Sequence, residues 1–252
     1  MRSERATSYG STEAHLTVAS TAAWPPAGLA AGATKAQSGS MNLDELRRNY
    51  AVRSLDVADL RPDPFEQFDL WMREAITAAI LEPNAMTLAT VSAGGAPSLR
   101  VVLLKGFDPR GFVFYTNYHS HKSRDIAANP AVALHFAWLP LERQVAVTGR
   151  AEKISAAESL KYFLSRPRDS QLGAWASRQS EVVTTRSLLE AKFEEMKTRF
   201  LRGEVPLPDF WGGYRVTPDS FEFWQGRPSR MHDRLRYRRQ PDQRWAIERL
   251  MP

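Results

Sequence analysis

Residues 86–117 read MTLATVSAGGAPSLRVVLLKGFDPRGFVFYTN, and this stretch decides the fold. Three strand-like runs, 86–93, 99–107 and 111–117, are rich in Val, Leu, Phe and Thr. The clusters AGGAP and DPRG between them are turn sequences, too short for the crossover helix that parallel strands need. The three runs predict an antiparallel meander.

The pattern continues on both sides. Downstream, a short helical piece over 120–128 closes at Asn129-Pro130, and AVALHFAWL and ERQVAVTGRAEKI supply two more strands around a tight Pro-containing turn. A helix is predicted over 155–165, then a polar loop. A longer helix follows over about 185–202, with Leu189, Phe193, Met196 and Phe200 on one face and Gly203 as its stop. YRVTPDSFEFW, RLRYRRQ and RWAIERL read as closing strands. Upstream, Asp63, Pro64 and Glu66 form an N-cap, N1 proline and N3 carboxylate ahead of Phe65, Phe68, Met72, Ile76 and Ala79 at helical spacing, which predicts a helix over 64–81. The fold class is mainly β with appended helices, an antiparallel barrel without βαβ alternation or internal repeat.

Residues 1–41 are rich in Ala, Ser, Thr and Gly, lack periodicity and are expected to be a disordered N-terminal extension. Their three basic and two acidic residues make too weak an arginine bias for a transit peptide, and Met41 is an alternative first residue. A single domain is expected over 42–252. With 43% apolar and 25% charged residues the chain can bury a proper core. No cysteine is present, which excludes disulfides, thiolate metal sites and cysteine nucleophiles and suits a reducing, cytoplasmic setting. No apolar run reaches the roughly 20 residues of a membrane-spanning helix, so no membrane partner is expected. A net charge of +6 suits an anionic partner. Its arginines stand singly beside aromatic and hydroxyl residues, which fits small anions in pockets better than nucleic acid, though arginine among aromatics in the last hairpin keeps a nucleic-acid-binding module as the rival.

Four groups of residues carry candidate chemistry. Arg100 and Lys105 lie five positions apart in one predicted strand, so alternation points them to opposite faces, either as two anion contacts or as strand-edge charges reaching water. Ser120, at the start of a helix carrying His121 and Lys122, makes either an anion site or an ordinary capped helix. His119 and His121 lack a third ligand at metal-binding spacing, and no metal is expected. Tyr162, Arg166 and Ser170 offer hydroxyls and a guanidinium suited to a phosphate monoester, converging from a helix end and loop because Pro167 interrupts the helix; a structural arginine with a carboxylate partner is the competing account. Trp224, Arg230 and His232 are separated by even numbers and could face one side of an extended ribbon, for stacking on a planar ligand or as a basic edge that resists aggregation.

Six motifs, RVVLLKGF, FYTNYHSHKS, LERQVAVTG, YFLSRPRDSQLGAW, FWGGYRV and EFWQGRPSRMHDR, occur in this order, and through them residues 42–252 resemble the pyridoxine (pyridoxamine) 5'-phosphate oxidase family. The resemblance implies an FMN-binding split β-barrel working as a homodimer with flavin sites at the subunit interface. It implies oxidation of pyridoxine 5'-phosphate or pyridoxamine 5'-phosphate to pyridoxal 5'-phosphate, with dioxygen as acceptor and hydrogen peroxide as by-product. By motif, it assigns FMN contacts to Arg100, Val101, Val102, Leu103, Leu104, Lys105, Tyr115, Thr116, Ser120, His121, Lys122, Gln144, Gln179, Ser180, Trp224 and Arg234, some reaching across from the partner subunit. Substrate phosphate falls to Lys105, Tyr162, Arg166 and Ser170, the catalytic positions over the substrate ring to Arg230 and His232, and a mobile lid to Arg47 and Tyr50. The chain departs from the family pattern at Ser120-His121-Lys122, where S-R-K is usual, which removes one guanidinium and implies weaker FMN binding or a compensating cation. It departs again at Leu164, where histidine is frequent, and at Met231, where leucine is usual. Deleting residues 1–40 is expected to leave turnover intact, whereas extending the deletion through Tyr50 should weaken substrate binding; steady-state kinetics on the two truncated proteins checks both.

Overall fold

A computed structural model describes residues 50–252. Helix α1 (Pro64–Thr77) is followed by strands β1 (Ala85–Val91), β2 (Pro97–Leu103), β3 (Gly106–Asp108) and β4 (Gly111–Asn117), then helix α2 (His121–Ala128). Strands β5 (Ala131–Trp138) and β6 (Arg143–Lys153) precede helices α3 (Ala156–Ser165), α4 (Arg168–Ala176) and α5 (Arg186–Arg199). Strands β7 (Trp211–Gln225), β8 (Asp233–Arg239) and β9 (Trp245–Leu250) close the chain. All pairings are antiparallel, in the order β2-β1-β5-β6-β7-β4-β3, with β8 and β9 branching from β7. The branch arises because β7 is long enough to serve two partners. Trp211–Val216 pair with β4, Ser220–Gln225 pair with β8, and β6 runs along almost the whole of the other side.

Helix α1 fills the hollow of this curled sheet. Asp63 Oδ1 accepts from the Phe65 and Glu66 amides, so the predicted cap is present. Phe65, Phe68, Trp71, Met72 and Ala75 are buried on one face. Phe68 meets Phe107, Phe112 and Phe136 with ring centroids 4.9 Å away in each case, so one side chain touches β3, β4 and β5. A smaller apolar cluster ties α3, α4 and α5 together through Phe163, Leu172, Met196 and Val205, and Trp211 joins it from β7.

Three expectations from the sequence need correction. Helix α1 ends at Thr77 rather than 81, because Ala79 turns left-handed at φ 52°. The polar loop after residue 165 contains α4, anchored by Leu172, small alanines and the partly buried Trp175, whose N-cap, Pro167, makes no side-chain bond. The run 99–107 is two strands. β2 stops at Leu103, the Leu104 amide donates to Asn84 O (2.9 Å), and the next amide, of Lys105, donates to Val113 O (2.8 Å). Within two residues the chain thus leaves β1 for β4, closing one side of the barrel.

The hairpin from β3 to β4 depends on Gly111, at φ 138°, where a Cβ would collide with the carbonyl of Val216 on β7. Gly111→Ala is therefore expected to destabilise the fold by about 2–3 kcal/mol, read as a lowered urea midpoint at unchanged slope.

Candidate functional site

A cavity of about 990 Å³ is walled by β2, the end of β4, the start of α2, the end of α3, α4 and the loop at 177–180. Arg100, Lys105, Lys122 and Arg166 line it with His121, and among the described residues no carboxylate does. Four cations facing one space without an anion make a site for a negatively charged ligand.

The local chemistry explains how each cation is held. Arg100 rises from β2, where Nη1 donates to Thr90 Oγ1 (2.7 Å) and Leu88 O (3.2 Å) and Nη2 to Ser98 Oγ (2.6 Å). Burial lowers its pKa, while Asp125 pulls the other way. Lys122 is 7% exposed, and its Nζ donates only to neutral oxygens, Gln179 Oε1 (2.8 Å), Thr116 Oγ1 (3.1 Å) and Ser120 Oγ (3.3 Å). Desolvation, reinforced by the Arg100 charge, brings its pKa down to about 8. Ser120 stands at the N-cap of α2 but does not cap it; its hydroxyl pairs with Ser123 and accepts from Lys122. The His121 amide donates to Ser180 Oγ (3.2 Å), joining the loop to the helix start.

On the far side, Tyr115, Tyr162 and Trp211 stack nearly parallel, with Tyr115 and Tyr162 centroids 3.9 Å apart. Arg166 lies 4.7 Å above the Trp211 ring, and its Nη1 is buried without a hydrogen-bond partner. Burial lowers the Arg166 pKa, although Tyr162 opposes this. This buried guanidinium nitrogen, in a cavity that Ser170 and Lys105 also line, can donate to an acceptor oxygen.

The structure brings together Arg100, Val101, Val102, Leu103, Lys105, Tyr115, Thr116, His121, Lys122, Tyr162, Arg166, Ser170, Gln179 and Ser180 around this cavity. Arg100 and Lys105 do not point apart as alternation suggested, since the crossover at Leu104 resets the direction of Lys105 and both line one space. Leu104 is buried in the core and does not line the cavity. Arg47 lies outside the described residues.

Gln144, Trp224, Arg230, His232 and Arg234 are absent from the cavity wall and belong to a second group with Tyr50. Gln144 pairs with Trp224 across β6 and β7, and Trp224 with Arg234 across β7 and β8. The extended ribbon expected here is interrupted by a 3-10 turn at Pro228–Arg230, with Ser229 and Arg230 at positive φ. Trp224 and His232 rings still meet at 4.6 Å, and Tyr50 packs edge-on to both. The Arg227 amide donates to His232 Nδ1 (3.1 Å), so the neutral ring carries its proton on Nε2. Burial, then the Arg230 charge, holds His232 below the usual histidine range against the pull of Asp233. Arg230 is exposed, and Arg234 is held by Glu222 (2.7 Å). Thr90, Ser98 and Asp125 support the cavity without having been singled out in the sequence; Thr90 and Ser98 face each other only in the β1–β2 register.

Among the described residues no group of three or more His, Asp or Glu side chains is placed to hold a metal ion, and no helix is long and apolar enough to cross a membrane. Two solved structures share the architecture. PhzG from Burkholderia lata 383, in complex with tetrahydrophenazine-1-carboxylic acid, superposes with a TM-score of 0.75 at 30% identity, covering 80% of this chain and 99% of that one. A pyridoxamine 5'-phosphate oxidase-related, FMN-binding protein from Nostoc punctiforme superposes at 0.62 and 16% identity, covering 77% and 100%. The chain is accordingly a split-barrel protein. Residues 72–200 match the pyridoxamine 5'-phosphate oxidase family, and residues 211–252 match the pyridoxine 5'-phosphate oxidase C-terminal dimerisation region. Pyridoxine/pyridoxamine 5'-phosphate oxidases of Rippkaea orientalis and Teredinibacter turnerae are 58% and 57% identical over 212 residues, each spanning 84% of this chain and 100% of the relative. The chain belongs to the pyridoxine/pyridoxamine 5'-phosphate oxidase family of enzymes.

Lys122 predicts a pH signature. In the empty cavity it gives up its proton near pH 8, and a bound anion raises that pKa again. Phosphate-ester binding should therefore take up protons around pH 8 and weaken as pH rises further, which calorimetry in buffers of different ionisation enthalpy measures.

Proposed function

We propose that this chain binds FMN and oxidises pyridoxine 5'-phosphate or pyridoxamine 5'-phosphate to pyridoxal 5'-phosphate, with dioxygen as acceptor and hydrogen peroxide as by-product. The observation that carries this reading is the carboxylate-free cavity, with cations at both ends, in a chain of this family. Two anion-seeking groups suit a ligand pair with two phosphates, Arg100 and Lys122 facing that of FMN and Lys105, Tyr162, Arg166 and Ser170 that of the substrate. When bound, FMN supplies the hydride acceptor and returns the electrons to dioxygen.

The protein's share is orientation and charge. Arg166, unpartnered at Nη1 and fixed over Trp211, offers a donor to a substrate phosphate oxygen. Arg230 would cover the pyridine ring, and His232, with its proton on Nε2, would donate to a ring substituent. Tyr50 edge-on to Trp224 and His232 would close that group off from water. Residues 42–252 act in this reading as one oxidase domain.

A second copy of the chain completes the site in this reading. Trp211, at the cavity, and Trp224, in the second group, lie on one strand 13 residues apart, up to roughly 40 Å along β7. The two groups belong to opposite ends of β7, and the match of residues 211–252 to a dimerisation region supports a homodimer in which a second copy brings them together. Arg166→Ala and Arg230→Ala should each be nearly inactive alone. Refolded together in equal amounts, they should recover about a quarter of wild-type sites, since half the dimers are mixed and each mixed dimer has one intact site. The assay follows pyridoxal 5'-phosphate and peroxide with FMN present. No recovery would place both groups in one chain's site, and no product from the wild-type protein would end the functional reading.

A further inference from the structure

Asp125 is one of two buried carboxylates among the described residues, 4% exposed on α2. Its nearest cationic atoms stand beyond hydrogen-bonding distance, His121 Nε2 at 3.7 Å and Arg100 Nη2 at 3.9 Å. A carboxylate so placed needs other donors. It has two, because its Oδ2 accepts from Thr90 Oγ1 (2.6 Å) and from Ser98 Oγ (3.0 Å). Burial raises the Asp125 pKa, and these hydroxyl bonds, helped by His121 and Arg100, more than reverse it, so the group stays ionised.

The direction of those bonds has a consequence for Arg100. A hydroxyl has one proton, and both protons here go to Asp125, so the oxygen lone pairs of Thr90 and Ser98 are turned to the guanidinium. Nη1 donates to Thr90 and Nη2 to Ser98, whose oxygens lie 3.1 Å apart. With Leu88 O as a further acceptor, three of five guanidinium N–H groups are occupied. Nε–H and one Nη2–H remain, the pair that grips a phosphate along one edge.

We propose that Asp125 is a positioning residue for the anion site, acting through the Thr90 and Ser98 hydroxyls to hold Arg100 with that edge toward the ligand phosphate. The arrangement orients Arg100 without a direct ion pair that would occupy the same edge. It also compensates for histidine at position 121, because a guanidinium with fixed orientation does more for a phosphate than a mobile one. The proposal rests on the reading that Arg100 faces the FMN phosphate.

Equilibrium binding of FMN and of riboflavin, followed by quenching of flavin fluorescence, tests it on the full chain, with urea midpoints measured in parallel. The wild-type protein should prefer FMN. Asp125→Asn puts an amide donor among the hydroxyls and should lower FMN affinity on the order of tenfold while leaving riboflavin affinity unchanged. Ser98→Ala, at a half-exposed position, should reduce the preference in the same direction and decides the matter if the Asp125 variant does not fold. A full FMN preference in folded Asp125→Asn overturns the proposal, as does an equal loss for both ligands, which would make Asp125 a purely structural residue. Equal binding of FMN and riboflavin by the wild-type protein overturns instead the reading beneath it.

Discussion

The pairing of β6 with β7 is the constraint on which the remaining structure depends. Eleven residues of β6 pair along β7, and the ladder survives a register shift at Thr148/Gly149 because Gly149 has no side chain to strike the Thr217 carbonyl. With that edge of β7 occupied, its other edge divides between β4 and β8. The division separates the molecule into a barrel with the cationic cavity and a hairpin with the Trp224 and His232 group. Helix α1 then covers the aromatic interior formed by inward residues of β4, β5 and β7, including Phe112, Phe136 and Phe221.

The cavity spends stability that the core provides. Lys122 is buried and Arg166 half-buried with its Nη1 enclosed, neither with a carboxylate partner, an arrangement that costs free energy unless an anion is present. Arg143 makes the contrast. It is buried more deeply than Arg166, and it bonds Glu74 and Gln225 and lies 4.2 Å over the Trp71 ring. One arginine is bound up in the fold, the other presents an unused donor.

Much of this was legible in the sequence where the signal is local. The cap at Asp63, the helix starting at Ser155 and the strand runs of β5 and β6 all depend on neighbours a few residues away, and all are present. Residue type marked Arg100, Lys122 and Arg166 as candidates for anion contacts, and the fold lines one cavity with all three. What escaped was relational. The hydroxyls of Thr90 and Ser98 acquire meaning only when the β1–β2 register sets them opposite one another and α2 brings Asp125 above them. The continuous apolar run through Leu104 hid a change of partner strand, so alternation misjudged Lys105. Helix α4 escaped because Ala174 and Ala176 are too small to mark a buried face by composition.

Cations gathered without a carboxylate would also make ligand supply a determinant of how long the protein lasts. In the reading proposed above, an anion held by Lys122, or one held by Arg166, needs the folded cavity, so it would bind the native chain and leave the unfolded one alone. Each tenfold excess of such a ligand over its dissociation constant adds about 1.4 kcal/mol to stability. In that reading, resistance to heat and to proteases would follow the concentration of the phosphate ester, and a cell short of it would hold a shorter-lived population of the same chain.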